Sequence, residues 1–169
     1  MMAKLAALSL LSASALLLQS MSVLAQKIST LTQDDLEKPA VVKAWLIENG
    51  ARADKTAAKE FFDLGLRLKK EQRWALATKA FGGSAIRYPT PQALNEYAEV
   101  SIRDLGTRLD AQHVLPLYKS AMAADSVLHL MNEKEKKATQ NDLDCLRLYM
   151  QSKKIQPDCR PLQAYGLSK

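Results

Sequence analysis

No stretch of this chain alternates apolar and polar residues strictly enough to make a strand, whereas helix stop and start signals recur along it. That pattern confines the chain to helices joined by short turns. A first helix over 34–48 carries Pro39 in its opening turns, where a missing amide costs little. Asn49-Gly50 ends it. Asp54 is placed to cap a second helix running to Lys70, and another spans Arg73 to Arg87. Thr90-Pro91 supplies an N-cap followed by proline at the first helical position, opening a helix that ends near Leu105-Gly106. Asp110 can start the next, over 110–123. Thr139 with Asp142 three residues on resembles a capping box for the last. The expected fold is all-α, with about seven helices.

The first 25 residues differ in kind. Lys4 gives a small positive n-region, Leu5 to Leu18 is an uncharged run rich in Leu and Ala, and Val23-Leu24-Ala25 closes the segment as a signal-peptidase site does. Residues 1–25 are therefore expected to be a secretory signal peptide, with the mature chain beginning near Gln26. An uncleaved membrane anchor shares the same greasy run, but the run is shorter than the ~20 residues a span needs. No cysteine stands near the cleavage site for lipid attachment. The expectation is a single exported domain over 26–169, periplasmic in a Gram-negative source and otherwise secreted. No membrane insertion is expected once the signal is removed.

Lys4 is the only charge in that segment, so 23 basic residues face 18 acidic ones in the remainder. The basic clusters Arg67-Lys69-Lys70-Arg73, Lys134-Lys136-Lys137 and Lys153-Lys154 are mostly interleaved with or flanked by acids, as on a solvated helical face. Export argues further against nucleic acid as a partner. Cys145 and Cys159 are the only cysteines, and in an oxidising compartment an even count at short spacing reads as one disulfide. The only histidines, His113 and His129, show no ligand spacing to them. Neither a metal site nor a cofactor is expected.

Internal periodicity appears in residues 58–91. Counted from Ala58, the unit places Phe61, Leu64, Gly65 and Leu68 on its first helix and Trp74, Ala77, Phe81 and Ser84 on its second, with Pro89 behind them. This spacing resembles the tetratricopeptide repeat, W-x2-L-G-x2-Y followed by A-x3-F-x2-A and a closing proline. Leu64, Gly65, Ala77, Phe81 and Pro89 match that pattern. Phe61 stands for its tryptophan, Leu68 for its tyrosine, Ser84 for its alanine, and Gln72 lies where a turn glycine is common. The second-helix signature returns as Val114, Tyr118, Ala121 and again as Cys145, Tyr149, Ser152. First-helix positions return less cleanly at Leu94, Tyr97, Ala98 and at Ala124, Val127, Leu128, Met131.

The resemblance implies antiparallel helical hairpins stacked as a short TPR-like α-solenoid, with repeat-like units at 58–91, 92–125 and 126–157. Gly65 and Ala77 would let the paired helices approach closely, while Phe61, Leu64, Leu68, Trp74 and Phe81 fill the seam. Gly82 and Gly83 then lie inside a helix, where tight packing against a neighbour is the expected compensation for their poor propensity. The tail at 158–169 would fold back along the last helix, so that a Cys145–Cys159 bridge seals the open end of the stack.

Catalytic signatures are absent: no GxSxG, HExxH or P-loop occurs. Asp34-Asp35 are adjacent, as at a helix N-terminus, and no histidine is readably spaced from Ser84 or Ser152. The chain is not expected to be an enzyme. The family resemblance implies instead a groove lined by first helices, which grips a segment of another protein. Its groove positions fall on Phe62, Leu66 and Lys69 in the first unit and Asn95, Glu99 and Ile102 in the second. Some members of that family hold a terminal carboxylate with Lys and Asn at the first two positions. Phe62 and Leu66 are apolar, which points to an apolar or amphipathic segment. Equally open is that Phe62 and Leu66 pack under helix 34–48, against Val41, Val42, Trp45 and Leu46. The basic edge Arg67–Arg73 is a further candidate surface. Two functions fit: an interaction module in an envelope or secretion-associated complex, or a small periplasmic inhibitor or immunity protein that neutralises a toxin or hydrolase.

Overall fold

The computed structural model describes residues 30–106 and 108–167, and the expected signal peptide lies outside them. Among the described residues the fold is all-α, with eight helices: α1 (Gln33–Leu36), α2 (Pro39–Asn49), α3 (Lys55–Lys70), α4 (Trp74–Arg87), α5 (Pro91–Arg103), α6 (Ala111–Leu128), α7 (Glu133–Ser152) and α8 (Arg160–Ala164). Their starts follow local chemistry. Asp54 Oδ1 accepts the Ala57 amide at 2.9 Å, Thr90 Oγ1 that of Ala93 at 3.2 Å, and Asp110 Oδ1 that of Gln112 at 2.8 Å. Each such cap satisfies an otherwise orphaned amide and is worth about 1 kcal/mol. Gln72 has φ 57°, the left-handed backbone that a turn glycine adopts more cheaply.

Three expectations are corrected. The helix expected over 34–48 is two helices. Proline disfavours helical backbone at the residue before it, and Lys38 is extended, so Pro39 opens α2 at its first position. The last helix starts six residues before Thr139, because Asn132 and Glu135 form the capping box: the Asn132 side chain accepts the Glu135 amide at 3.0 Å, and Glu135 accepts that of Asn132 at 2.8 Å. Thr139 is instead buried mid-helix. Finally, 126–157 is not a two-helix unit. Its expected first-helix residues Ala124, Val127 and Leu128 end α6, which terminates at left-handed His129, and Met131 lies in the turn.

Helices α4 to α7 each pack on their predecessor. The α3–α4 pair is antiparallel in register: Ala58 meets Ser84, Phe61 meets Gly83, and Gly65 meets Phe81. A Cβ on Gly65 would stand 2.7 Å from the Phe81 ring, so only glycine admits that ring here. The adjacent glycines of α4 face different neighbours. A Cβ on Gly82 would lie 3.2 Å from Tyr97 of α5, and one on Gly83 would lie 3.1 Å from Phe61 of α3. Gly83→Leu should therefore wedge the two helices apart and lower the melting temperature, overpacking costing ~1–3 kcal/mol against a gain of ~1 kcal/mol in helix propensity. An unchanged melt would overturn that account.

The N-terminal helices cover one side of this array. α2 packs on α6 with Val42, Trp45 and Leu46 buried, and α1 bridges α4 and α6. The Leu31 amide donates to Ile86 O at 3.2 Å, and His113 Nδ1 meets Glu37 Oε2 at 2.9 Å. That carboxylate raises the His113 pKa. On the opposite side α3, α5 and α7 are tied by polar contacts: Lys69 to Glu96 and Glu99, and Asn95 to Thr139. The disulfide joins Cys145 of α7 to Cys159, just before α8. It carries the tail back against α5 and α7.

Candidate functional site

On the side left uncovered by α1 and α2, a cleft of about 210 Å³ opens between α3, α5 and α7, with α8 at one end. Its apolar surface comes from Phe62, Met131 and Ala138. Phe62 is fixed by an edge-on contact with Phe81, ring centroids 5.5 Å apart. Glu96 and Glu99 project from α5 and Glu135 from the first turn of α7. Gln92, Glu96 and Glu99 fall on one helical face because their spacing is close to one turn.

Lys69 bonds Glu96 at 2.6 Å and Glu99 at 2.9 Å, linking α3 to α5 beside the cleft. Burial pulls its pKa down, but the two carboxylates together outweigh burial and hold the ammonium above its usual range. Arg160, at the start of α8, donates from Nε to Asp142 Oδ1 at 3.2 Å and from its terminal nitrogen to the other oxygen. Burial raises the Asp142 carboxyl even so, against the pull of that guanidinium. Tyr118 lies beneath, its phenol raised well above its usual value by burial first and by the negative charge of Asp142 and Glu99 next. Tyr118 and Arg160 line the cleft, and the Arg160–Asp142 pair is consumed in fastening the tail to α7.

The six expected groove residues separate. Phe62, Asn95 and Glu99 line the cleft, and Lys69 closes its edge through its ion pairs. Leu66 is 42% exposed and does not line it. Ile102 is fully buried and belongs to the core, a correction that follows from its lying on the inward face of α5. The alternative packing under helix 34–48 is also corrected: α2 goes to α6, and Phe62 packs on Phe81. Asn95 is largely structural, its amide donating to Thr139 Oγ1 at 2.8 Å while its own oxygen is buried without a partner.

Apart from Pro89, which is buried in the turn between α4 and α5, the expected repeat residues lie on α3 and α4, with Gly65, Leu68, Ala77, Phe81 and Ser84 buried. Phe61, Leu64 and Trp74 are half-buried. Ser84 Oγ donates to Ala58 O at 2.8 Å across the pair, which accounts for a hydroxyl at a small, buried position. Sequence reasoning missed Glu96, Glu135 and Arg160. The periodicity of α5 could have exposed the first, and the Asn132/Glu135 capping box the second. Nothing in the sequence pairs Arg160 with Asp142.

A second exposed apolar surface lies on α2, where Val41 and Ile47 (66% exposed) project away from the buried face. Among the described residues no helix is long and apolar enough to cross a membrane, and no three His, Cys, Asp or Glu residues are grouped to hold a metal ion. Compared with known proteins, the chain matches no family model, no curated protein and no solved structure.

Proposed function

We propose that this chain is an exported, TPR-like interaction module whose α3–α5–α7 cleft grips an amphipathic segment of a partner protein in an envelope or secretion-associated complex. The observation that carries this reading is the one-sided placement of the N-terminal helices. They cover α4 and α6, while the opposite cleft stays open with Phe62, Met131 and Ala138 beside Glu96, Glu99 and Glu135. A segment laying an apolar stripe on those side chains, with a lysine or arginine towards the carboxylates, would satisfy both halves of the lining. The acidic lining shifts the expected occupant from an apolar segment to a basic amphipathic one. Export is supported by the Cys145–Cys159 disulfide, since reducing compartments rarely sustain such a bond.

Ala138→Arg tests the cleft, because it fills the space and sets a positive charge against its carboxylates at a helical position where arginine is well tolerated. Wild type, Ala138→Arg and Ile47→Glu would each be used to recover partners from envelope extract. The expected result is one stoichiometric partner, reduced at least about tenfold by Ala138→Arg and retained by Ile47→Glu, with melting temperatures unchanged. Loss with Ile47→Glu alone would transfer the function to the α2 surface and overturn the cleft assignment. A partner that is a nuclease, lipase or amidase inhibited by the chain would select the inhibitor reading over the adaptor.

A further inference from the structure

A separate cavity of about 430 Å³ lies at the other end of α7, between the start of α6 and the disulfide-tethered tail. Tyr149 and Met150 of α7 form one wall, and Tyr165 and Leu167 of the tail form another. Two cations stand over these rings. The Arg108 guanidinium carbon is 4.7 Å from the Tyr165 ring centroid, and Lys153 Nζ is 5.1 Å from that of Tyr149. Neither cation makes an ion pair among the described residues, whereas the cleft described above has its cations bonded to carboxylates. The one carboxylate at the cavity, Asp110, is engaged by the amides of Gln112 and His113, at 2.8 and 3.2 Å. The walls are held in place: Tyr165 Oη donates to Leu109 O at 2.5 Å, Leu162 is fully buried, and the disulfide fixes the tail to α7.

We infer that this cavity binds a small organic anion with a planar apolar body. The body lies between Tyr149 and Tyr165 against Met150 and Leu167, and its carboxylate meets Arg108 and Lys153. The volume falls within the range of small-molecule sites, and the composition is the usual one of apolar walls with a few convergent polar groups. Both cations are exposed and neither is neutralised by a carboxylate, so an entering carboxylate gains charge-assisted hydrogen bonds while displacing no more than the 3.4 Å bond from Arg108 to Ala164 O. A neutral ligand of the same shape would gain only the walls.

The test uses titration calorimetry on the disulfide-intact protein with 2-naphthoate, with its uncharged counterpart 2-naphthalenemethanol, and with a short peptide ending in tryptophan. Single-site binding of naphthoate is expected, about tenfold tighter than that of the alcohol, and weakened about tenfold by Arg108→Gln or by Lys153→Gly, the factor a charged hydrogen bond commands. Lys153→Gly separates binding from folding. Lys153 has φ 57°, a backbone that glycine takes without strain, so this variant should keep or raise the melting temperature while losing affinity. Reduction of the disulfide should weaken binding as well, since it frees one wall. Equal affinity for acid and alcohol, no effect of either substitution, or binding of the peptide without binding of naphthoate would each overturn the assignment.

Discussion

Phe81→Ala should destabilise the fold by about 3–5 kcal/mol, the largest effect expected of any single substitution in the α3–α4 pair. The ring is fully buried, meets Phe62 edge-on, and fills the space that the absent Cβ of Gly65 leaves open. At ~2–4 °C per kcal/mol for a domain of this size, the melting temperature should fall by about 10 °C. The pairing with Gly65 makes a sharper test. In the wild-type background Gly65→Ala forces a methyl to within 2.7 Å of the ring, and overpacking of ~1–3 kcal/mol outweighs a propensity gain of ~1 kcal/mol. In the Phe81→Ala background the ring is gone and only the propensity gain remains, so the same change should stabilise. A double-mutant cycle by chemical denaturation measures this reversal of sign. Stabilisation by Gly65→Ala in both backgrounds would show that the close approach is not what requires glycine there.

Removing the disulfide with Cys145→Ala and Cys159→Ala together should cost ~3 kcal/mol, as the chain-entropy model gives for a loop of ~15 residues. The bonded cysteines are 14 residues apart and both are buried. The loss should be local at first. Once the bridge is gone, the tail is held by Leu162, by the Arg160–Asp142 pair and by Tyr165 on Leu109 O. Hydrogen exchange should then quicken across 155–167 while α3 to α6 stay protected, and trypsin should cut at Lys153 and Lys154 first, since Pro161 shields the bond after Arg160. Uniform loss of protection along the whole chain would mean that the tail seals the core rather than capping one end of it.

Helix starts were legible in the sequence because capping is settled within three residues. Asp54, Thr90 and Asp110 are caps in the structure as expected from their positions alone. The failure at Thr139 is informative. It stands three residues before Asp142 and fits the capping pattern, but its hydroxyl accepts Asn95 from another helix, while Asn132 and Glu135 form the box. Local patterns compete, and tertiary contacts decide between them. Of the expected groove residues, the positions carried over from the repeat resemblance that line the cleft are Phe62 on α3 and Asn95 and Glu99 on α5. The same carry-over misplaced Ile102, which is fully buried, since a matching position in a repeat does not tell which face of α5 is inward here.

The amino-acid sequence by itself therefore determined the helical class, most helix boundaries, the disulfide, and the small residues that let α3 and α4 close on each other. These follow from interactions spanning at most a few turns, or from a residue type with one chemical use. Only the tertiary structure decided that α2 lies on α6 instead of beneath α3, and hence which side of the molecule stays open. The physical reason lies in α2 itself: Val42, Trp45 and Leu46 face inward while Val41 and Ile47 are exposed. Its exposed side mixes Lys43 and Glu48 with Val41 and Ile47, so no clean polar face fixes its docking partner, and the choice falls to the shape of the surface it meets.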